Sequence, residues 1–226
     1  MPAENPSREA ILGRIRSSLK TPAPHPAPPM GVPVFLPVED PLERFREECA
    51  GNLVECTVSA GPAETADAFA TVLASLPDGD VWLQDTPELR AIMQAACAKL
   101  SWGGDPNLPS RTGAVRWSSE GRPNEEAQAT VTLAEVLVAG TGSFFVSSAN
   151  GGRAGSVSAP VHVVYARLAQ LVPDLDSAFA RLYESGTTSR NSFVGLITGS
   201  SRTADIEKIL VLGAHGPRRV VIILEK

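Results

Sequence analysis

The C-terminal stretch from residue 191 to residue 226 constrains the fold most strongly. It holds two short apolar runs, 193–197 and 220–224, each long enough for a strand. Between them the apolar residues fall at i, i+3 and i+4, which is the spacing of one helix face: Ile206, Ile209 and Leu210. The glycines and proline of 213–217 end that helix. A strand–helix–strand unit of this length predicts a crossover connection between two parallel, neighbouring strands.

The loop after the first of these strands is the leading candidate for ligand binding. At a helix start the backbone N–H groups lack partners and the dipole is positive, so anions bind there. The loop supplies small residues, hydroxyls and one guanidinium, which together suit a phosphate or a carboxylate: Gly199, Ser200, Ser201, Arg202 and Thr203. The same residues also fit a plain helix start, with Ser201 or Thr203 as N-cap and Arg202 as a solvated charge.

Elements of both kinds alternate through the first half of the chain. Periodicity and capping residues predict helices over 42–50, 62–76 and 86–100, and strands over 53–58 and 81–84. Asp40-Pro41 and Thr86-Pro87 are good helix starts. This alternation predicts an α/β domain with a parallel sheet.

The N-terminal segment is different in composition. Residues 7–20 carry an apolar stripe at helical spacing, and residues 21–41 are rich in proline, which favours an extended arm. We therefore expect residues 1–40 to form a helix and arm, and residues 41–226 to form the α/β domain. The helix either folds back on its own domain or docks on a partner chain.

A second Gly/Ser/Thr break lies at 140–143, between apolar runs that predict two strands joined by a tight turn. Strand alternation places Glu135 on a mostly apolar face, where a carboxylate is costly unless it is paired. It is then either a functional acid or one half of a buried ion pair. In open α/β sheets ligands bind at the carboxyl ends of strands, so both Gly/Ser/Thr loops could line one pocket.

Two lone histidines are candidates for that pocket. His162 lies in the predicted strand 161–165 and His215 at the far end of the predicted C-terminal helix. A strand histidine is more often a core residue than a ligand, and a histidine at a helix end often complements the dipole.

Composition excludes several classes of function. The net charge of −5 and the 5% aromatic content argue against nucleic-acid binding. The three cysteines form no C-x-x-C, so we expect no metal site and no iron–sulfur cluster in this chain. The sequence has neither a dinucleotide-binding nor a P-loop motif. With no signal segment and no apolar run of spanning length, we expect a cytoplasmic protein.

Several motifs resemble the lactate-utilization protein C family (LutC/YkgG type), whose unit is the LUD domain. The run 197–207, Ile-Thr-Gly-Ser-Ser-Arg-Thr-Ala-Asp-Ile-Glu, and the later Gly-Ala-His-Gly-Pro at 213–217 are similar to its C-terminal signature. Ala134-Glu135 and Thr141-Gly142-Ser143 match its central motif, and Pro160-x-His162 the next one. The resemblance covers about residues 41–226 and is strongest after residue 130.

This resemblance implies an open, mostly parallel sheet with helices on both faces. Such a fold is similar to that of the ribose-5-phosphate isomerase, glucosamine-6-phosphate deaminase and CoA-transferase group. It also implies a role in oxidising L-lactate to pyruvate, in a complex whose other members carry iron–sulfur clusters. The central motif adds Thr141, Gly142 and Ser143 to the expected anion-binding residues.

The chain departs from the family pattern at two positions. Gly140 stands where an acidic residue is usual before Thr-Gly, and Ser200 where a proline is common. If the missing acid is catalytic in relatives, this chain lacks that step or uses Glu135 or Asp205 instead.

Three kinds of function stay open at this point. In the first, the chain is a subunit of a lactate-oxidising complex and docks through its N-terminal helix and arm. Alternatively it is a stand-alone enzyme for a phosphosugar, a CoA thioester or a hydroxy acid, with Glu135 or Asp205 as acid, base or nucleophile. The third kind is a sensor that binds such a small anion without turnover. A homo-oligomer also stays open.

Overall fold

A computed structural model describes residues 6–20, 35–100, 113–123, 127–149, 153–203, 211–213 and 215–226. The chain separates into two compact units, Met1–Leu36 and Pro37–Lys226. The first unit contains helix α1 (Pro6–Ser18), which overlaps the helix predicted over residues 7–20. Most of the proline-rich arm, residues 21–34, lies outside the described residues.

The second unit contains the remaining elements in α/β order. Its helices are α2 (Pro41–Gly51), α3 (Pro62–Ala74), α4 (Pro87–Cys97), α5 (Leu175–Glu184) and the short α6 (Thr187–Arg190). Its strands are β1 (Val54–Ser59), β2 (Asp80–Leu83), β3 (Val115–Trp117), β4 (Ala127–Leu133), β5 (Val136–Val138), β6 (Ser143–Ser147), β7 (Val161–Arg167), β8 (Leu171–Val172), β9 (Val194–Ile197), β10 (Arg202–Thr203), β11 (Val211–Leu212) and β12 (Arg219–Glu225).

Side-chain caps fix where the main helices begin. Asp40 accepts from the amides of Leu42 and Glu43, and proline follows at the first helical position, where no N–H is needed. Thr86 caps α4 in the same way, through the amide of Leu89 at 3.2 Å. These starts agree with the sequence prediction.

The main sheet has six strands in the order β1-β12-β7-β4-β2-β3. Every neighbouring pair in it is parallel. The central strands β7 and β12 are buried over nearly their whole length, as strands covered on both faces must be. The predicted parallel α/β sheet is therefore confirmed.

A smaller sheet of four strands has the order β8-β5-β6-β9. Strand β6 pairs antiparallel with both β5 and β9, while β5 pairs parallel with β8. The predicted pair of strands around the 140–143 break is thus the β5–β6 hairpin.

Three apolar clusters hold the layers together. Helices α3 and α4 cover one face of the main sheet, with Phe69, Leu73 and Met93 against Val131, Val163 and Ile223. Helix α2 and the small sheet cover the other face, with Phe45 and Phe144 against Val164 and Ile222. Helix α5 covers the outer face of the small sheet. The prediction of helices on both faces of the sheet is confirmed.

The predicted C-terminal crossover is wrong. Strand β9 belongs to the small sheet, where Ile197 pairs with Phe144, whereas β12 lies between β1 and β7 in the main sheet. The two strands are therefore not neighbours. Ile206, Ile209 and Leu210 lie outside the described residues, and the segments on either side, β10 and β11, form a short antiparallel pair.

Candidate functional site

The structure brings the two Gly/Ser/Thr loops together. Strands β6 and β9 run antiparallel, so the start of β6 lies beside the end of β9. The hydroxyls of Ser143 and Thr198 are 2.6 Å apart. The loop that precedes Ser143 and the loop that follows Thr198 thus meet at one end of the small sheet.

The first loop is held against the end of helix α2. Gly142 has a φ of 61°, and a Cβ on it would lie 2.7 Å from the carbonyl carbon of Glu48. Glycine is needed here both for the left-handed backbone and for the close approach. The thiol of Cys49 also points to the Gly142 carbonyl, at 3.9 Å.

Asn52 links the two loops. Its amide nitrogen donates to the Thr141 carbonyl at 3.0 Å, and its side-chain oxygen accepts from Arg202 at 3.3 Å. Sequence reasoning missed this residue, since a polar side chain directly after a helix has no distinctive pattern. Asn52 positions the loops and leaves most of the exposed Arg202 guanidinium available.

Two hydroxyls in these loops are buried without a partner among the described residues. They are the Oγ of Ser200, whose side chain is 5% exposed, and the Oγ1 of Thr141. Buried polar groups normally form a hydrogen bond, so these hydroxyls are suited to a ligand. The side chain of Thr203 and the whole of Asp205 lie outside the described residues.

A cavity of about 320 Å³ lies next to the second loop. Its polar lining includes Ser156, His162, Ser201 and His215, and Gly199 also borders it. His162 and Val220 are the second residues of β7 and β12. The cavity is therefore at the amino ends of these two central strands and at the carboxyl end of β9, beside the second loop.

His162 is fully buried, and the structure satisfies only one of its two ring nitrogens. The Nε2 atom is 2.8 Å from the hydroxyl of Thr132, while Nδ1 has no partner among the described residues. Burial lowers the pKa of His162 to about 3, so its imidazole is neutral near pH 7. A neutral imidazole can donate or accept a hydrogen bond at Nδ1, depending on its tautomer.

His215 is exposed and lies on the rim of the same cavity. The two histidines therefore border the same cavity, although His162 lies on strand β7 and His215 lies in the segment before β12. Ser201 completes this side of the cavity, 3.3 Å from the position that a Cβ on Gly216 would occupy.

Glu135 is placed differently from the expectation. The chain leaves the main sheet after Leu133 and begins the small sheet at Val136, so strand alternation does not run through Glu135. The carboxylate is half-buried and accepts from the hydroxyl of Ser147 at 2.5 Å. Within the described residues it forms no ion pair, and it does not line the cavity.

Among the described residues, no group of three or more histidine, cysteine, aspartate or glutamate side chains is arranged to hold a metal ion. None of the helices in this described part of the chain combines the length and the apolar character needed to cross a bilayer.

Comparison with known proteins gives consistent matches over most of the chain. The model of the LUD domain family matches residues 42–224. A protein named Lactate utilization protein C from Geobacillus thermodenitrificans (strain NG80-2) is 28% identical over 198 residues, which is 82% of this chain and 78% of the relative. The protein of the same name from Geobacillus sp. (strain WCH70) is 26% identical over 81% of this chain and 77% of its own length.

Other matches agree with these. An uncharacterized protein of Escherichia coli (strain K12), YkgG, is 26% identical over 76% of this chain and 73% of its own. The crystal structure of a DUF162 family protein from Deinococcus radiodurans has the same fold, with a TM-score of 0.58 and 18% identity, over 82% of this chain and 96% of that one. The chain belongs to the LUD domain family and, within it, is similar to the lactate-utilization protein C group.

Proposed function

We propose that this chain serves in lactate utilization, as a subunit of a complex that oxidises L-lactate to pyruvate and whose other members carry iron–sulfur clusters. One observation carries the proposal: relatives named for lactate utilization align with about four fifths of the chain, 81% and 82% of it. The names of these relatives support the role in lactate utilization. The complex and its iron–sulfur partners go beyond what the names say and are proposed in addition.

Within this role, the two joined loops form an anion site. The exposed guanidinium of Arg202 supplies the charge and donors that match a carboxylate in two-point geometry. The hydroxyls of Ser200 and Thr141, which have no partner among the described residues, lie in the same two loops and supply neutral donors. Asn52 holds the guanidinium at 3.3 Å and so reduces the entropy that anion binding would cost.

A binding experiment tests the anion site. Thermal unfolding of the wild type is measured with L-lactate, pyruvate, sugar phosphates, nucleotides and acyl-CoAs. A ligand present at about 100 times its dissociation constant stabilises the native state by about 2.7 kcal/mol. A hydrogen bond to a charged group contributes about 1.5–3 kcal/mol, so Arg202→Ala should weaken binding tenfold or more.

Arg46→Ala is the matched control for this substitution. Arg46 is also an exposed arginine, 3.2 Å from Glu43 in a surface ion pair on α2. It should bind the anion as the wild type does. Equal affinity of the wild type and Arg202→Ala would refute the anion site, while loss of binding in both variants would point to general charge effects.

The complex is tested by co-purification from the organism that encodes the chain. A tagged full-length chain should recover iron–sulfur proteins, recognised by their absorbance and iron content. A chain lacking residues 1–40 should lose them if the N-terminal helix and arm are the docking element. Unchanged recovery would contradict the docking role, and no iron–sulfur partner with either chain would contradict the complex.

The cavity favours a second candidate function, that of an enzyme or sensor for a small metabolite. Its volume of about 320 Å³ is within the range of ligand sites, about 300–1,000 Å³. Incubation of the purified chain with any small compound that stabilises it separates the two forms. Product formation identifies an enzyme, and stabilisation without product identifies a sensor.

A further inference from the structure

The cavity next to strand β9 is bordered by His162, a residue with a hydrogen-bonding atom that no described residue uses. His162 is fully buried, and its Nδ1 atom has no partner among the described residues. The ring is fixed on its other side, because Nε2 is 2.8 Å from the Thr132 hydroxyl and the Phe144 ring centre is 5.8 Å away. A fixed, unpaired nitrogen beside a cavity is a preorganised contact for a ligand.

The walls of the cavity are largely apolar. Six described residues form them: Val157, Phe193, Leu196, Ile197, Pro217 and Val220. The imidazole between them is neutral, because burial lowers the pKa of His162 to about 3. Burying a carboxylate against apolar walls and a neutral ring is costly, whereas an uncharged carbonyl or hydroxyl group needs only one hydrogen bond there.

The volume of the cavity also limits the size of the ligand. A volume of about 320 Å³ corresponds to roughly ten water molecules at about 30 Å³ each. A molecule that fills it has an apolar body as well as a polar group.

We propose that this cavity binds an uncharged organic molecule of about ten non-hydrogen atoms, with a carbonyl or hydroxyl group hydrogen-bonded to Nδ1 of His162. Its apolar body packs against Phe193 and Ile197. The contact at His162 is distinct from the one at Arg202, although Gly199 and Ser201 of the second loop also border the cavity. The proposal stands whether or not the chain acts in lactate utilization.

Three probes of nearly equal size test the proposal: benzamide, benzoate and ethylbenzene. Binding to the full chain is followed by titration in NMR, with the imidazole nitrogens of His162 labelled with ¹⁵N. Benzamide should bind saturably and move the Nδ1 resonance. Benzoate and ethylbenzene should bind about tenfold more weakly or worse, because one carries a charge and the other lacks a hydrogen-bonding group.

Two variants locate the binding. His162→Phe keeps an aromatic ring but removes Nδ1, so benzamide should lose its advantage over ethylbenzene. Val157→Trp tests the site without altering the core, because Val157 is 53% exposed on the cavity rim, where a larger ring obstructs entry. It should weaken benzamide binding about tenfold. Tyr183→Trp, on the exposed face of α5 at 79% exposure, should not.

The outcomes are distinct. Benzamide binding that moves Nδ1 and is weakened by Val157→Trp supports the site, even if His162→Phe does not fold. Absence of saturable benzamide binding overturns the proposal. Benzoate binding as tight as that of benzamide, or benzamide binding unchanged by Val157→Trp, overturns it as well.

Discussion

Acidification should destabilise this protein through His162, and the effect can be isolated with one substitution. The ordinary pKa of histidine is 6.5, and burial in the folded chain lowers that of His162 to about 3. Between these values the unfolded chain binds a proton that the folded chain does not. The free energy of unfolding therefore falls as the pH falls below about 6.5.

The magnitude follows from the two pKa values. Each pH unit in this window changes the contribution of His162 by about 1.4 kcal/mol. Between about pH 7.5 and pH 5 the loss is about 2 kcal/mol, and acidification to about pH 3 raises it to about 4 kcal/mol. His162→Gln removes the titrating ring and keeps a side chain that can bond the Thr132 hydroxyl.

Urea unfolding, followed by circular dichroism at several pH values, measures this effect. The wild type should lose about 2 kcal/mol more than His162→Gln between about pH 7.5 and pH 5. His215→Gln, which changes the exposed histidine of the same cavity, is the matched substitution for comparison. Parallel pH profiles for the wild type and His162→Gln would refute the reasoning that His162 is buried and neutral.

Two further predictions concern the elements around the joined loops. Gly142→Ala should destabilise the protein by about 1–3 kcal/mol, because its Cβ would meet the Glu48 carbonyl carbon at 2.7 Å; thermal unfolding measures this. Gly51→Ala is the control, because a Cβ there meets nothing within 4 Å, and it should change the free energy of unfolding by less than about 1 kcal/mol. An equal loss of stability in both variants would contradict the packing argument. Asp40→Ala should cost about 1 kcal/mol through loss of the α2 cap, measured by urea unfolding, with the neighbouring exposed residue changed in Glu39→Ala as control. If both carboxylate variants behave alike, the cap does not stabilise the helix.

The sequence predicted most of the helices and strands because their signals are local. The caps at Asp40 and Thr86 and the apolar run of β12 are each contained within a few residues. Strand partners are not local, and the C-terminal crossover shows the consequence. The run 193–197 is apolar enough for either sheet, and its place in the small sheet depends on pairing with Phe144, about 50 residues away in the chain.

Part of the candidate site could also be predicted from the sequence. The glycines and hydroxyls of both loops were identified from composition and from family motifs. Asn52 was not, because its role comes from contacts with Thr141 and Arg202 that only the folded chain creates. The environment predicted for Glu135 was wrong, because the chain bends between the two sheets at this residue and the alternation of strand residues stops there.

Growth on L-lactate tests the proposed role in lactate utilization most directly. The gene is deleted in the organism that encodes it, and growth and lactate consumption are followed with L-lactate or glucose as the sole carbon source. The deletion strain should fail on L-lactate, grow normally on glucose, and recover on L-lactate when the wild-type chain is restored. Undiminished growth and lactate consumption in the deletion strain would contradict the proposed function.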